Sequence, residues 1–120
     1  METKTTGLKR FYYASRYSWQ GVRAAYRNEP AFRYEIWACA ALLPLSLIVA
    51  DTLLEWVMLI CSCLFVLAME LVNTAIEAVV DRGGTEFNPM AGLAKDLGSA
   101  VVSVALLICA LVWIAVLFGG

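Results

Sequence analysis

The last apolar stretch of the chain, Leu97 to Phe118, runs 22 residues without a charged side chain. Such a stretch can cross the hydrocarbon layer of a bilayer as one helix and has few stable alternatives. Two further apolar stretches precede it. The first runs from about Ile36 to Ala50 and reaches spanning length when Ala31–Glu35 extends it at the interface. The second runs from about Trp56 to Val80. With 62% hydrophobic residues in 120, against roughly 45–50% for a soluble domain, the chain reads as one compact membrane domain. The expected architecture is all-α: a surface helix over about 7–28 and three transmembrane helices over about 31–50, 55–80 and 95–118.

The basic residues orient this arrangement. Lys4, Lys9, Arg10, Arg16, Arg23, Arg27 and Arg33 precede the first span, and Arg82 and Lys95 lie between the second and third. The loop near Asp51–Glu55 and the tail after Phe118 have none. All nine fall on one side of a three-span layout, which the positive-inside rule makes cytoplasmic. A multi-pass membrane protein with its N-terminus and second loop in the cytoplasm is expected. Trp56 and Trp113, near the far ends of their spans, are expected in an aromatic belt on the opposite face. Nucleic acid is a poor partner for a chain this apolar.

Between Leu8 and Tyr26 one helical stripe carries Leu8, Tyr12, Ser15, Trp19, Val22 and Tyr26, and a neighbouring one carries Lys9, Arg16, Gln20, Arg23 and Arg27. Aromatics beside long basic chains describe an amphipathic helix lying in the membrane plane. Asn28-Glu29-Pro30 breaks it, because proline keeps the residue before it out of α geometry and readily opens the next helix. Glu29 therefore sits at the corner, and position alone favours a capping role for its carboxylate. Cys39, Cys61, Cys63 and Cys109 lie within the spans with no CxxC spacing and are expected to be small packing residues.

The second span contains the chemistry. Glu70, Asn73, Glu77 and Asp81 recur at i, i+3, i+7 and i+11 and so share one helical face. Acids within a membrane span are rare and usually functional. The chain has no histidine, which excludes a His-based triad, and no Walker-type P-loop. The acids available toward the cytoplasmic side are Glu29, Glu70, Glu77, Asp81, Glu86 and Asp96. Hard oxygen ligands of this kind favour Mg²⁺, whose shell is completed by phosphate and water. With Lys95 and several arginines nearby they suit a metal–nucleotide site, where phosphoryl transfer needs positioning and charge neutralisation. Glu70, the deepest acid, is the natural general base. One three-span chain is too small to enclose such a site, so further copies of itself are expected as partners.

Four segments then become recognisable: Tyr17–Ala25, Asn28–Arg33, the E-x-x-N-x-x-x-E-x-x-x-D block from Glu70 to Asp81 with Arg82, and Ala94-Lys95-Asp96-Leu97-Gly98-Ser99-Ala100. Together they resemble the small bacterial integral-membrane diacylglycerol kinases over essentially the whole chain. The resemblance implies a homotrimer with composite sites and ATP-dependent phosphorylation of diacylglycerol to phosphatidate. It implies Glu70 as the base on the lipid hydroxyl, Glu29 and Glu77 as ligands of the Mg²⁺ on ATP, and Asn73 and Asp81 in support. Arg10, Tyr17, Glu86, Phe87, Asn88, Lys95 and Asp96 would contact the nucleotide. The lipid would run past Arg10, then Ser15, Arg16, Tyr17, Ser18 and Trp19, and then Arg23, Ala24, Ala25 and Tyr26. It would continue past Ala31, Phe32, Arg33, Tyr34 and Glu35 to Glu70 and Ser99. Phe87-Asn88 stands where family members often carry Tyr-His, and Gln20 where a lysine is common. Undecaprenol kinase is the nearest alternative; a small proton-coupled exporter would instead want four spans and little use for Glu29 or Lys95.

Overall fold

The structure, a computed structural model, describes residues 7–83 and 88–119. They form four helices in order: α1 (Leu8–Asn28), α2 (Pro30–Val49), α3 (Leu53–Asp81) and α4 (Pro89–Gly119). The three later helices are each long and apolar enough to cross a membrane. The expected all-α architecture, with three helices of spanning length, is present. At 1.5 Å per residue α3 extends about 44 Å, well beyond a ~30 Å hydrocarbon layer. Its last turns, with Glu77 and Asp81, therefore have length to reach past the apolar zone.

Local chemistry explains the boundaries. Between α2 and α3, the Thr52 hydroxyl accepts the Glu55 N–H at 3.1 Å while Glu55 accepts the Asp51 N–H at 2.9 Å. This is a variant of the capping box, and it turns the chain in three residues. The fourth helix starts at Pro89, earlier than the apolar stretch alone indicates. Asn88 Oδ1 accepts the Met90 and Ala91 N–H groups at 2.9 and 3.4 Å, and proline suits the first helical position. Lys95 and Asp96 are thereby held on a rigid helix rather than in a loop.

The longest interface joins α3 to α4. At one end Leu59, Cys63 and Trp113 form a buried cluster flanked by Cys39, Leu42, Cys109 and Val112. The four cysteines are free; Cys39, Cys63 and Cys109 pack as expected, whereas Cys61 is exposed on the outer side of α3. The aromatic-belt expectation fails for Trp113, which is only 8% exposed. Its ring faces α3 rather than the outside, because its stripe on α4 is the one that meets Leu59 and Cys63. At the other end Gly98 lets the helices approach closely: a Cβ there would collide with Asn73 Oδ1.

Gly98→Val is expected to destabilise the chain by about 1–3 kcal/mol through overpacking, measured by thermal unfolding in micelles. Adding Asn73→Ala should recover most of that loss. Strict additivity of the two changes would show that the contact does not govern the approach.

Candidate functional site

The site is built from the corner between α1 and α2. Glu29 adopts an extended conformation (φ −118°, ψ 102°), forced by the proline that follows. Its N–H donates to Ala25 O at 2.9 Å, and its carbonyl accepts from Arg33 N at 3.2 Å. The expected capping role of the Glu29 carboxylate is absent: its side chain makes no cap hydrogen bond. Another side chain pins the corner. Arg33 Nη1 donates to Tyr26 O at 2.8 Å and Arg27 O at 2.9 Å, closing off the carbonyl end of α1. Trp37 Nε1 adds a bond to the Tyr26 hydroxyl at 3.0 Å.

The Glu29 carboxyl is thus free to face Glu77 on α3, close enough for a carboxyl–carboxyl hydrogen bond. Both line a cleft of about 370 Å³ with Asn28, Asp81 and the small residues Gly21, Ala24, Ala25, Thr74 and Ala78. At the rim Lys95 Nζ of α4 meets Asp81 Oδ1 at 2.6 Å. Both partners are exposed, so this pair orients Lys95 more than it stabilises the fold. Carboxylates from α1–α2 and α3 and a lysine from α4 therefore gather at one end of the molecule.

Glu70 lies two turns beyond Glu77 on the same α3 face and is 7% exposed. The Glu35 carboxylate on α2 is near enough for the two charges to interact, and Glu35 Oε1 is buried without a hydrogen-bond partner. Asn73 Oδ1, between Glu70 and Glu77 on the ladder, is likewise buried and unpartnered. Buried oxygens without donors cost roughly 1–3 kcal/mol each. The α3 face thus runs from an exposed ion pair at Asp81 to unsatisfied acceptors near Glu70.

Other anticipated residues lie elsewhere. Arg10 borders a separate hollow with Gly7, Phe11 and Ala14, roughly 28 Å along the helix path from Glu29. Ser15, Ser18 and Trp19 line a further hollow, and Arg16, Tyr17 and Arg23 are exposed on the same helix. Phe32 is buried at 2% exposure, Ala31 is exposed, and Tyr34 packs edge-on against Trp37 with ring centroids 5.7 Å apart. Asn88 spends its side-chain oxygen on capping α4. Asp96 and Ser99 are exposed on that helix, and Glu86 and Phe87 lie outside the described residues. The Arg33 clasp and the Gly98 approach were missed from sequence, although an arginine four residues after a helix-breaking Glu-Pro corner is a readable sign.

Among the described residues no three His, Cys, Asp or Glu side chains are placed to hold a metal ion alone. The facing Glu29–Glu77 pair supplies two hard oxygen donors. That fits an octahedral cation such as Mg²⁺, which takes one or two protein carboxylates and fills its shell from phosphate and water.

Fold and site together define a membrane-embedded helical protein with an acidic, lysine-rimmed cleft at one end. The family model for prokaryotic diacylglycerol kinase matches residues 16–117. The diacylglycerol kinase of Haemophilus influenzae is 46% identical over 115 residues, covering 96% of this chain and 98% of that one. Those of Escherichia coli K12 and Pseudomonas aeruginosa are each 41% identical, covering 98% and 95% of this chain and 97% and 93% of theirs. The chain belongs to the prokaryotic diacylglycerol kinase family, and is a kinase.

Glu29→Gln and Glu77→Gln should each raise the Mg²⁺ concentration for half-maximal activity by about tenfold, as expected when one ligand of a hard-cation site is lost. Because the two carboxyls face each other, the double variant should fall well short of the product of the two effects. Independent, multiplying effects would separate the residues into different sites.

Proposed function

We propose that the protein transfers the γ-phosphoryl group of ATP to the free hydroxyl of diacylglycerol, giving phosphatidate and ADP, at the cytoplasmic face of the bacterial inner membrane. The observation that carries this is the graded α3 face, with a buried carboxylate at Glu70 and a facing carboxylate pair at Glu77 and Glu29 two turns away. A lipid hydroxyl and a nucleotide phosphate belong at different depths, and this face offers an acid at each. Glu70 takes the proton from the lipid hydroxyl as its oxygen bonds to the γ-phosphorus, while the bond from that phosphorus to the ADP oxygen breaks. Glu29 and Glu77 would hold Mg²⁺, which supplies charge neutralisation on the phosphates when bound with ATP. Lys95, oriented by Asp81, reaches the nucleotide phosphates, Asp96 contacts the nucleotide, and Asn73 and Asp81 support the metal site.

The cytoplasmic orientation rests on the one-sided distribution of Lys and Arg, with α1 lying along the headgroups. The proposed assembly is a homotrimer with composite sites. Arg10 stands too far along α1 to serve the same phosphates as Glu29 of its own chain, so it would act on a neighbour's site. The unpartnered oxygens of Asn73 and Glu35 also suit completion by a second copy or by substrate.

The competing acceptor is undecaprenol, which would use the same carboxylates. The protein reconstituted in vesicles with Mg·ATP and both lipids side by side decides between them. Diacylglycerol should be phosphorylated at least about tenfold faster in kcat/KM, the discrimination a shaped apolar pocket can supply. Preferential labelling of undecaprenol would overturn the substrate assignment.

A further inference from the structure

A second cleft, of about 400 Å³, lies between α1 and α3 and is lined almost wholly by apolar groups, including Val22 and Leu71. It shares Gly21, Ala25, Thr74 and Ala78 with the acidic cleft that holds Glu29 and Glu77. One hollow suits an acyl chain and the other suits phosphate and metal, and they meet at these four small residues. Ala25 is 4% exposed and closes one side of the junction. Gly21 leaves the other side open: a Cβ built there meets nothing within 4 Å. Thr74 is the one side chain bordering both hollows that carries a polar group, a hydroxyl able to hydrogen-bond the polar end of a lipid.

We infer that Gly21 and Thr74 form a threshold between the two hollows, and that the gap left by Gly21 admits acceptor lipids according to the bulk beside their reacting hydroxyl. This inference rests on the lipid-kinase reading and names the selecting residues within it. A diacylglycerol carries its second ester chain on the carbon next to the reacting one, so it is wide where it must cross. A methyl group at position 21 would enter that width without touching the rest of the protein. Glycine also weakens a helix interior by roughly 0.5–1 kcal/mol relative to alanine, a cost that open space at this point accounts for.

The test compares Gly21→Ala and Gly21→Leu with wild type in dioleoylglycerol vesicles, measuring KM for lipid and for Mg·ATP separately. Both variants improve helix propensity at an uncrowded site, and circular dichroism verifies the fold. The lipid KM should rise about two- to threefold for Ala and tenfold or more for Leu, since a methyl in an open gap costs less than the roughly tenfold or more that a group in a close-fitting pocket does, and an isobutyl group reaches further across the gap. The Mg·ATP KM should stay within about twofold of wild type because no phosphate crosses the gap. Thr74→Val should raise the lipid KM about fivefold and Thr74→Ser should restore it, as loss and return of one hydrogen bond predict. An unchanged lipid KM in Gly21→Leu, or equal rises in both KM values, overturns the threshold. If wild type itself leaves dioleoylglycerol unphosphorylated, the diacylglycerol reading fails instead, and the same KM comparison on the long-chain alcohol that it does accept decides the threshold.

Discussion

A carboxylate held between apolar helices is the constraint on which the rest of this structure turns. Taking an ionised acid out of water without a partner costs far more than a small domain can spare. Glu70 nevertheless sits on the buried face of α3, with Glu35 near it and Asn73 a turn away. The helix tolerates this because the opposite end of the molecule is conventional, with Leu59, Cys63 and Trp113 closing a cluster between α3 and α4. Stability and chemistry are thus separated along one helix. The cluster keeps α3 and α4 paired, while the carboxylate end keeps the buried, unpartnered oxygens of Glu35 and Asn73 that support the proposed site.

The carboxylate end is positioned by backbone devices more than by salt bridges. Pro30 turns the chain, Arg33 clasps the last carbonyls of α1, Asn88 extends α4 down to Lys95, and Gly98 brings α4 against Asn73. Each device places one charged or polar group without using that group's own side chain to do so. Glu29 illustrates the result. Relieved of capping, its carboxyl is available to Glu77 across the cleft.

Much of this was legible in the sequence, for physical reasons. Apolar run lengths fix the number of spans, and the 3.6-residue period puts Glu70, Asn73, Glu77 and Asp81 on one face whatever surrounds them. The Asn28-Glu29-Pro30 break marks the corner. Less legible was which stripe of a uniformly apolar helix faces inward. Trp113 was expected at the membrane rim and lies in the core because α4 offers no polar residue there to mark its outer side. Long-range encounters were also hidden: nothing local to Glu29 announces Glu77, and nothing local to Gly21 announces Thr74. The homotrimer and the residue roles entered through resemblance, since spacing within one chain says nothing about its neighbours.

The central claim is that the buried end of the α3 ladder performs the proton transfer while its exposed end holds the nucleotide. Glu70→Gln tests it most directly, because it preserves shape and removes the basic oxygen. Turnover of diacylglycerol and equilibrium binding of Mg·ATP should be measured on the same reconstituted preparation. The account predicts a loss of turnover of about 10²–10⁴, the usual contribution of a positioned base, with nucleotide affinity within about twofold of wild type. Turnover near the wild-type rate, or loss of nucleotide binding in parallel with turnover, would contradict it.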